Sequence, residues 1–148
     1  MRLTDDLKRA ADEATRPLRD AVKPPSTIEM AQRSISDAWY KEVKPLLMSL
    51  IKSTKKEVQA TMSHAGKELD DFAKDPKKGT KQFFEDIADA LKDLGSSFPI
   101  MTKFVGFIKA AGSLVTSMAG SDGDKVKAWT DFNKSKTELC SAIKKWLA

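Results

Sequence analysis

The chain has 148 residues, 41% of them hydrophobic and 32% charged, with a mean hydropathy of −0.42; this excludes wholesale disorder and suits one globular domain, residues 1–148, able to bury a core. Its 26 Lys and Arg against 21 Asp and Glu give a net charge of +5, too small for a polycationic tail. The excess is uneven: residues 1–98 hold 18 basic and 17 acidic side chains, residues 99–148 hold 8 and 4, so attraction to phosphate is expected in the last third.

The opening MRLTDDLKRAADE alternates charges where a secretory signal needs an apolar run, so no targeting peptide is expected. A first helix is predicted from Thr4 as N-cap, with Asp5 and Asp6 in its first turn and a stripe of Leu3, Leu7, Ala10, Ala14, Leu18 and Ala21. Pro17 should kink it and Pro24-Pro25 should end it. Ser26 and Glu29 have the spacing of a capping box for the next helix, whose apolar positions are Ile28, Ala31, Ile35, Ala38, Trp39 and Val43.

Pro45 should then kink or restart the chain. Beyond it Leu47, Ile51, Thr54, Val58, Met62, Ala65, Leu69 and Phe72 recur at intervals of three and four, which predicts one long helix from about Pro45 to Lys74. Gly66 is a weak point within it, and Asp75-Pro76 through Gly79 is a loop. A shorter helix is predicted from about Thr80 to Leu94, with Phe83, Phe84, Ile87, Leu91 and Leu94 inward, Gly95 as cap, and Asp86, Asp89 and Asp93 on its solvated face.

The segment from Phe98 to Gly120 is the most apolar in the chain, with only Lys103 and Lys109 charged; Ser96 or Ser97 is its expected cap and Pro99 falls in its first turn. Ile100, Phe104, Phe107, Ile108, Ala111, Leu114, Val115 and Met118 share one broad face. Gly106, Ala110, Ser113 and Ser117 form a ridge of small residues opposite, which predicts a helix buried on two sides at the bundle centre. Lys109 interrupts what would otherwise approach a transmembrane run. The last helix is predicted to start from Asp124, with Val126, Trp129, Phe132, Leu139, Ile143 and Leu147 inward. Short loops and helical periodicity throughout predict an all-α, single-domain antiparallel bundle of five or six helices around a hydrophobic central helix.

Chemistry-bearing constellations are sparse. The lone His64 and lone Cys140 fall on different helices, so no zinc or di-iron ligand set assembles; His64 reads as a solvated residue and Cys140 as a small buried hydrophobe. A single cysteine also forms no intramolecular disulfide, so a reducing, cytoplasmic or peripheral-membrane setting is expected. Phosphate-cradling glycine loops are missing, and SDGDKV at Ser121 fails as a calcium loop because Val126 offers no side-chain oxygen. No catalytic residue, metal or cofactor is expected, and the aromatics sit on inner faces away from the lysines, which argues against nucleic acid.

A non-enzymatic binding module remains. The apolar helix resembles, in physical type, the segments that helical toxins and membrane-active domains release from a bundle into lipid. Lys144 and Lys145 beside Trp146 suit a headgroup interface, so contact with an anionic membrane is expected through Lys103, Phe104, Phe107, Ile108, Lys109, Leu114, Lys144, Lys145 and Trp146. The alternative is a protein-interaction or scaffold module that binds a partner helix or self-associates as a homo-oligomer.

Overall fold

A computed structural model describes residues 24–92 and 98–148. The first predicted helix, and the predicted positions Asp93, Leu94, Gly95, Ser96 and Ser97, lie outside the described residues. Every regular element among the described residues is helical, and the helices pack as a bundle.

Helix α1 (Ile28–Ala38) is capped by Thr27, whose extended backbone lets its hydroxyl accept from the Met30 amide at 3.2 Å. The cap therefore sits one residue later than the Ser26 expected from the sequence; the Ser26 hydroxyl turns to the Met30 sulfur instead. A π-helical turn, Trp39–Val43, continues directly into α2 (Lys44–Lys52). This turn explains why Pro45 does not break the rod. Proline lacks an amide hydrogen and its ring crowds the carbonyl four residues back, and widening the preceding turn, with the Lys44 amide bonding to Trp39, relieves both problems.

The predicted long helix is in fact two. It breaks between α2 and α3 (Lys56–Lys74), where the Ser53 hydroxyl donates to the Leu50 carbonyl at 2.8 Å and the Thr54 hydroxyl to the Ile51 carbonyl at 3.0 Å. These side chains compete with the helical ladder just where Thr54 puts a polar residue in the apolar stripe. A 3₁₀ turn, Pro76–Lys78, leads to α4 (Lys81–Lys92), whose Phe83 amide is capped by the Thr80 hydroxyl.

Helix α5 (Pro99–Ser117) follows with Pro99 in its first turn, and α6 (Asp122–Leu147) closes the chain. The cap of α6 is Ser121, not Asp124: the Ser121 hydroxyl accepts from the Asp124 amide and the Asp124 carboxylate accepts from the Ser121 amide, each at 3.2 Å.

Taking α1 through α2 as one continuous rod, five rods alternate in direction, as the cross-contacts show. Gln32 donates to the Gly79 carbonyl and Trp39 to Asp70, so the first two rods are antiparallel. Gly112 of α5 faces Phe84 of α4, while Phe107 meets Phe132 and Phe98 meets Trp146 across α5 and α6. With an odd number of rods the first and last run the same way. They touch through Lys125 on the Ser26 carbonyl at 3.1 Å and Lys136 on Glu42 at 2.9 Å, which closes the bundle.

Helix α5 is its centre. Ten of its nineteen residues are buried, and it packs most extensively on α4 and α6 and also touches α1. The whole predicted apolar face, Ile100 through Met118, is inside, joined by Met101 and Val105. Phe104 lies under Trp39, ring centroids 6.4 Å apart, and Phe107 under Phe132 at 5.3 Å. The predicted two-sided burial is not found. Ser113 is exposed, Gly106, Ala110 and Ser117 are only half-buried, and nothing lies within 4 Å of where a Gly106 side chain would start. The close approach occurs at Gly112, where a Cβ would touch that of Phe84 at 3.4 Å. The inner face of α6 is likewise shorter than expected: Phe132, Leu139 and Ile143 are buried, but Val126 and Leu147 are exposed at its two ends. No helix among the described residues is long and apolar enough to cross a membrane.

Candidate functional site

Alternating rods gather five helix termini at one end of the bundle: the ends of α2, α4 and α6 and the starts of α3 and α5. There Phe98, just before α5, meets Trp146 near the end of α6, edge to face at 5.2 Å and 78°. Phe98 is buried while Trp146 is 52% exposed. Beside the pair opens a cleft of about 390 Å³. Its apolar lining is Val58, Phe98 and Trp146, and its polar lining comes from Ser53, Thr54, Lys55 and Glu57.

The polar lining is largely occupied. Both hydroxyl protons are committed to the Leu50 and Ile51 carbonyls, and the Thr54 carbonyl accepts from Gln59 Nε2 at 2.7 Å. Lys55 is thus the side-chain cation that the cleft can offer a ligand, with Glu57 as the one carboxylate.

Charge separates the two ends of the bundle. Near Trp146, among the described residues, Lys52, Lys55, Lys56, Lys92, Lys144 and Lys145 are exposed, with Lys103 about 6 Å inside α5, and the acidic side chains among them are Glu57 and, about 4.5 Å inside α4, Asp89. The opposite end mixes Lys74, Lys77, Lys78, Lys81, Lys125 and Lys127 with Glu29, Asp71, Asp75, Asp122 and Asp124. One end is strongly cationic and the other close to balanced.

The residues predicted from the sequence divide accordingly. Lys103, Lys144, Lys145 and Trp146 come together at the cationic end. Phe104, Phe107, Ile108 and Leu114 are at most 1% exposed and form the core. Lys109 stands apart, over a groove of about 560 Å³ between α4 and α5 that also holds Lys81 and Gly112. Phe98 and the lysines of the α2–α3 turn were not singled out from the sequence. The signal is present as Lys-Ser-Thr-Lys-Lys at 52–56, but the apolar spacing places this stretch inside one long helix, with Thr54 in its stripe, and so hides the turn.

Other chemistry-bearing side chains stay isolated. His64 is exposed and contacts Glu68 at 3.1 Å one turn away. Asp86 accepts from Gln82 at 2.7 Å on the surface of α4. Burial pushes the half-buried Cys140 thiol above its ordinary range, with Glu42 adding to the effect and Lys136 and Lys144 opposing it. No group of three or more His, Cys, Asp or Glu among the described residues is placed to hold a metal ion. Comparison with protein-family models, curated proteins and solved structures returns no match to this chain.

Proposed function

We propose that this protein is a non-enzymatic membrane-associating module that docks end-on against anionic lipid through the tip carrying Trp146. The observation behind this reading is a half-exposed indole set among seven lysines and two acidic side chains, Glu57 and Asp89. Indoles favour the headgroup region, and each lysine near an anionic surface contributes about 1 kcal/mol, so the cluster supplies several kcal/mol before any insertion.

Docking of the intact bundle is favoured over release of α5. Withdrawing Phe104, Phe107, Ile108 and Leu114 from the core costs about 1.5–3 kcal/mol each, which together rivals the whole stability of a domain this size. Co-sedimentation with phosphatidylcholine vesicles, with and without phosphatidylserine, tests the reading. Binding at low salt that requires the anionic lipid supports it, and absence of binding under those conditions ends it.

A second reading, self-association or capture of a partner helix, draws on the other end. Lys125 on the Ser26 carbonyl brings the starts of α1 and α6 together, where Ile28, Met30 and Val126 are each about half exposed. A concentration-dependent dimer in sedimentation velocity, with no vesicle affinity, would favour it.

A further inference from the structure

We propose that the cleft between the α2–α3 turn and Trp146 is a binding site for one acyl chain with an anionic head. The inference rests on reading this end of the bundle as lipid-facing, and adds which lipid group it holds. Three properties of the lining select that ligand. First, the apolar lining consists of an aliphatic side chain and two aromatic rings, Val58, Phe98 and Trp146, in a cleft of about 390 Å³, the size class of small-molecule sites. Second, the Ser53 and Thr54 hydroxyls donate to their own helix, so the lining has few free donors for a polar body such as a sugar. Third, the lining itself balances Lys55 against Glu57, and the exposed lysines next to it in the chain, Lys52 and Lys56 in the α2–α3 turn and Lys145 beside Trp146, tip the surrounding field positive, so a negative head is favoured over a positive one.

Trp146 is both wall and reporter. A chain laid beside Phe98 covers the half of the indole that now faces water, whereas Trp39 is already 1% exposed in the core. The same chemistry is presented by a free fatty acid and by the acyl chain of an anionic phospholipid.

Tryptophan emission of the full chain, titrated with decanoate and decyltrimethylammonium below their micelle concentrations and with decanol below its solubility limit, tests the proposal. Decanoate is expected to shift emission to the blue, to bind more tightly than decanol, and to bind far more tightly than the cation. The shift should vanish in Trp146→Phe, and affinity should rise about fourfold for each added methylene. Lys55→Ala should cut the preference for decanoate over decanol about threefold, the scale of one exposed ion pair, while Lys55→Arg keeps it. An unmoved emission, a shift that survives Trp146→Phe, or equal affinity for decanoate and decanol would overturn the proposal. Vesicle co-sedimentation run in parallel separates the two ideas: vesicle binding without decanoate binding removes the acyl site and leaves membrane docking, and the reverse removes docking alone.

Discussion

The indole of Trp146 packs edge-on against the ring of Phe98 at 5.2 Å, yet the two residues do different work. Phe98 is buried at the wall of the cleft and Trp146 keeps half its surface in water. Phe98→Ala is therefore expected to cost about 3 kcal/mol, a core truncation, and Trp146→Ala only about 1 kcal/mol, the worth of one aromatic pair. Urea unfolding of the two variants measures the contrast; similar losses would mean that Trp146 is structural and not held out for a ligand.

Two glycines should respond in opposite directions to the same change. Gly106 lies in the middle of α5 with open space where a side chain would begin, so Gly106→Ala should stabilise by about 0.5–1 kcal/mol through helix propensity. Gly79 is buried against the ring of Phe72, and a methyl group there would overlap a side chain that is itself fully buried. Gly79→Ala should cost about 1–3 kcal/mol as overpacking. Thermal denaturation of both settles the matter, and destabilisation by Gly106→Ala would reveal a neighbour on the small-residue ridge.

Trp39 Nε1 donates to Asp70 Oδ1 at 3.1 Å, and Lys44 Nζ reaches the same oxygen at 3.1 Å. The indole is buried whereas Asp70 and Lys44 are partly exposed. Removing the acceptor by Asp70→Ala strands a buried donor and should cost about 1–3 kcal/mol. Asp70→Asn keeps an acceptor and loses only a partly exposed ion pair, so its cost should stay under about 1 kcal/mol. Equal losses in chemical denaturation would show that charge, not satisfaction of the indole, matters here.

Cys140 adds an alkaline pH dependence. Its thiol is held above the ordinary range when folded, chiefly by burial and then by Glu42, so the unfolded chain releases that proton first. Stability should accordingly be insensitive to this group below the ordinary thiol range and fall as pH rises through it. Replacing Cys140 with Ala should flatten that alkaline decline. Alkylation at pH 8 should also be slower in the native protein than in urea, and equal rates would contradict the burial.

Much of the architecture was legible because helical periodicity reports burial directly: Phe104, Phe107, Ile108 and Leu114 were grouped on one face and all four are buried together. Where the reading went astray, local side-chain chemistry overrode the period. Ser53 and Thr54 bond backward at the end of α2, although the apolar spacing runs on through them. Pro45 is absorbed by a π turn, which leaves no mark in an apolar stripe. The candidate site was half legible for a related reason. Lys144, Lys145 and Trp146 are neighbours in the chain, but their meeting with Phe98 and Lys55 depends on rod direction, which no single segment encodes.

Docking on anionic lipid at the Trp146 end, as proposed, leaves the core intact. Quenching of tryptophan emission by brominated lipids in phosphatidylserine vesicles tests it most directly, comparing the native chain with Trp146→Phe and with Lys144→Glu/Lys145→Glu. The account expects vesicle-dependent quenching that disappears in Trp146→Phe, weakens in the charge-reversed variant and fades as salt rises. Quenching that persists in Trp146→Phe would place Trp129 or the buried Trp39 in lipid and contradict end-on docking at Trp146.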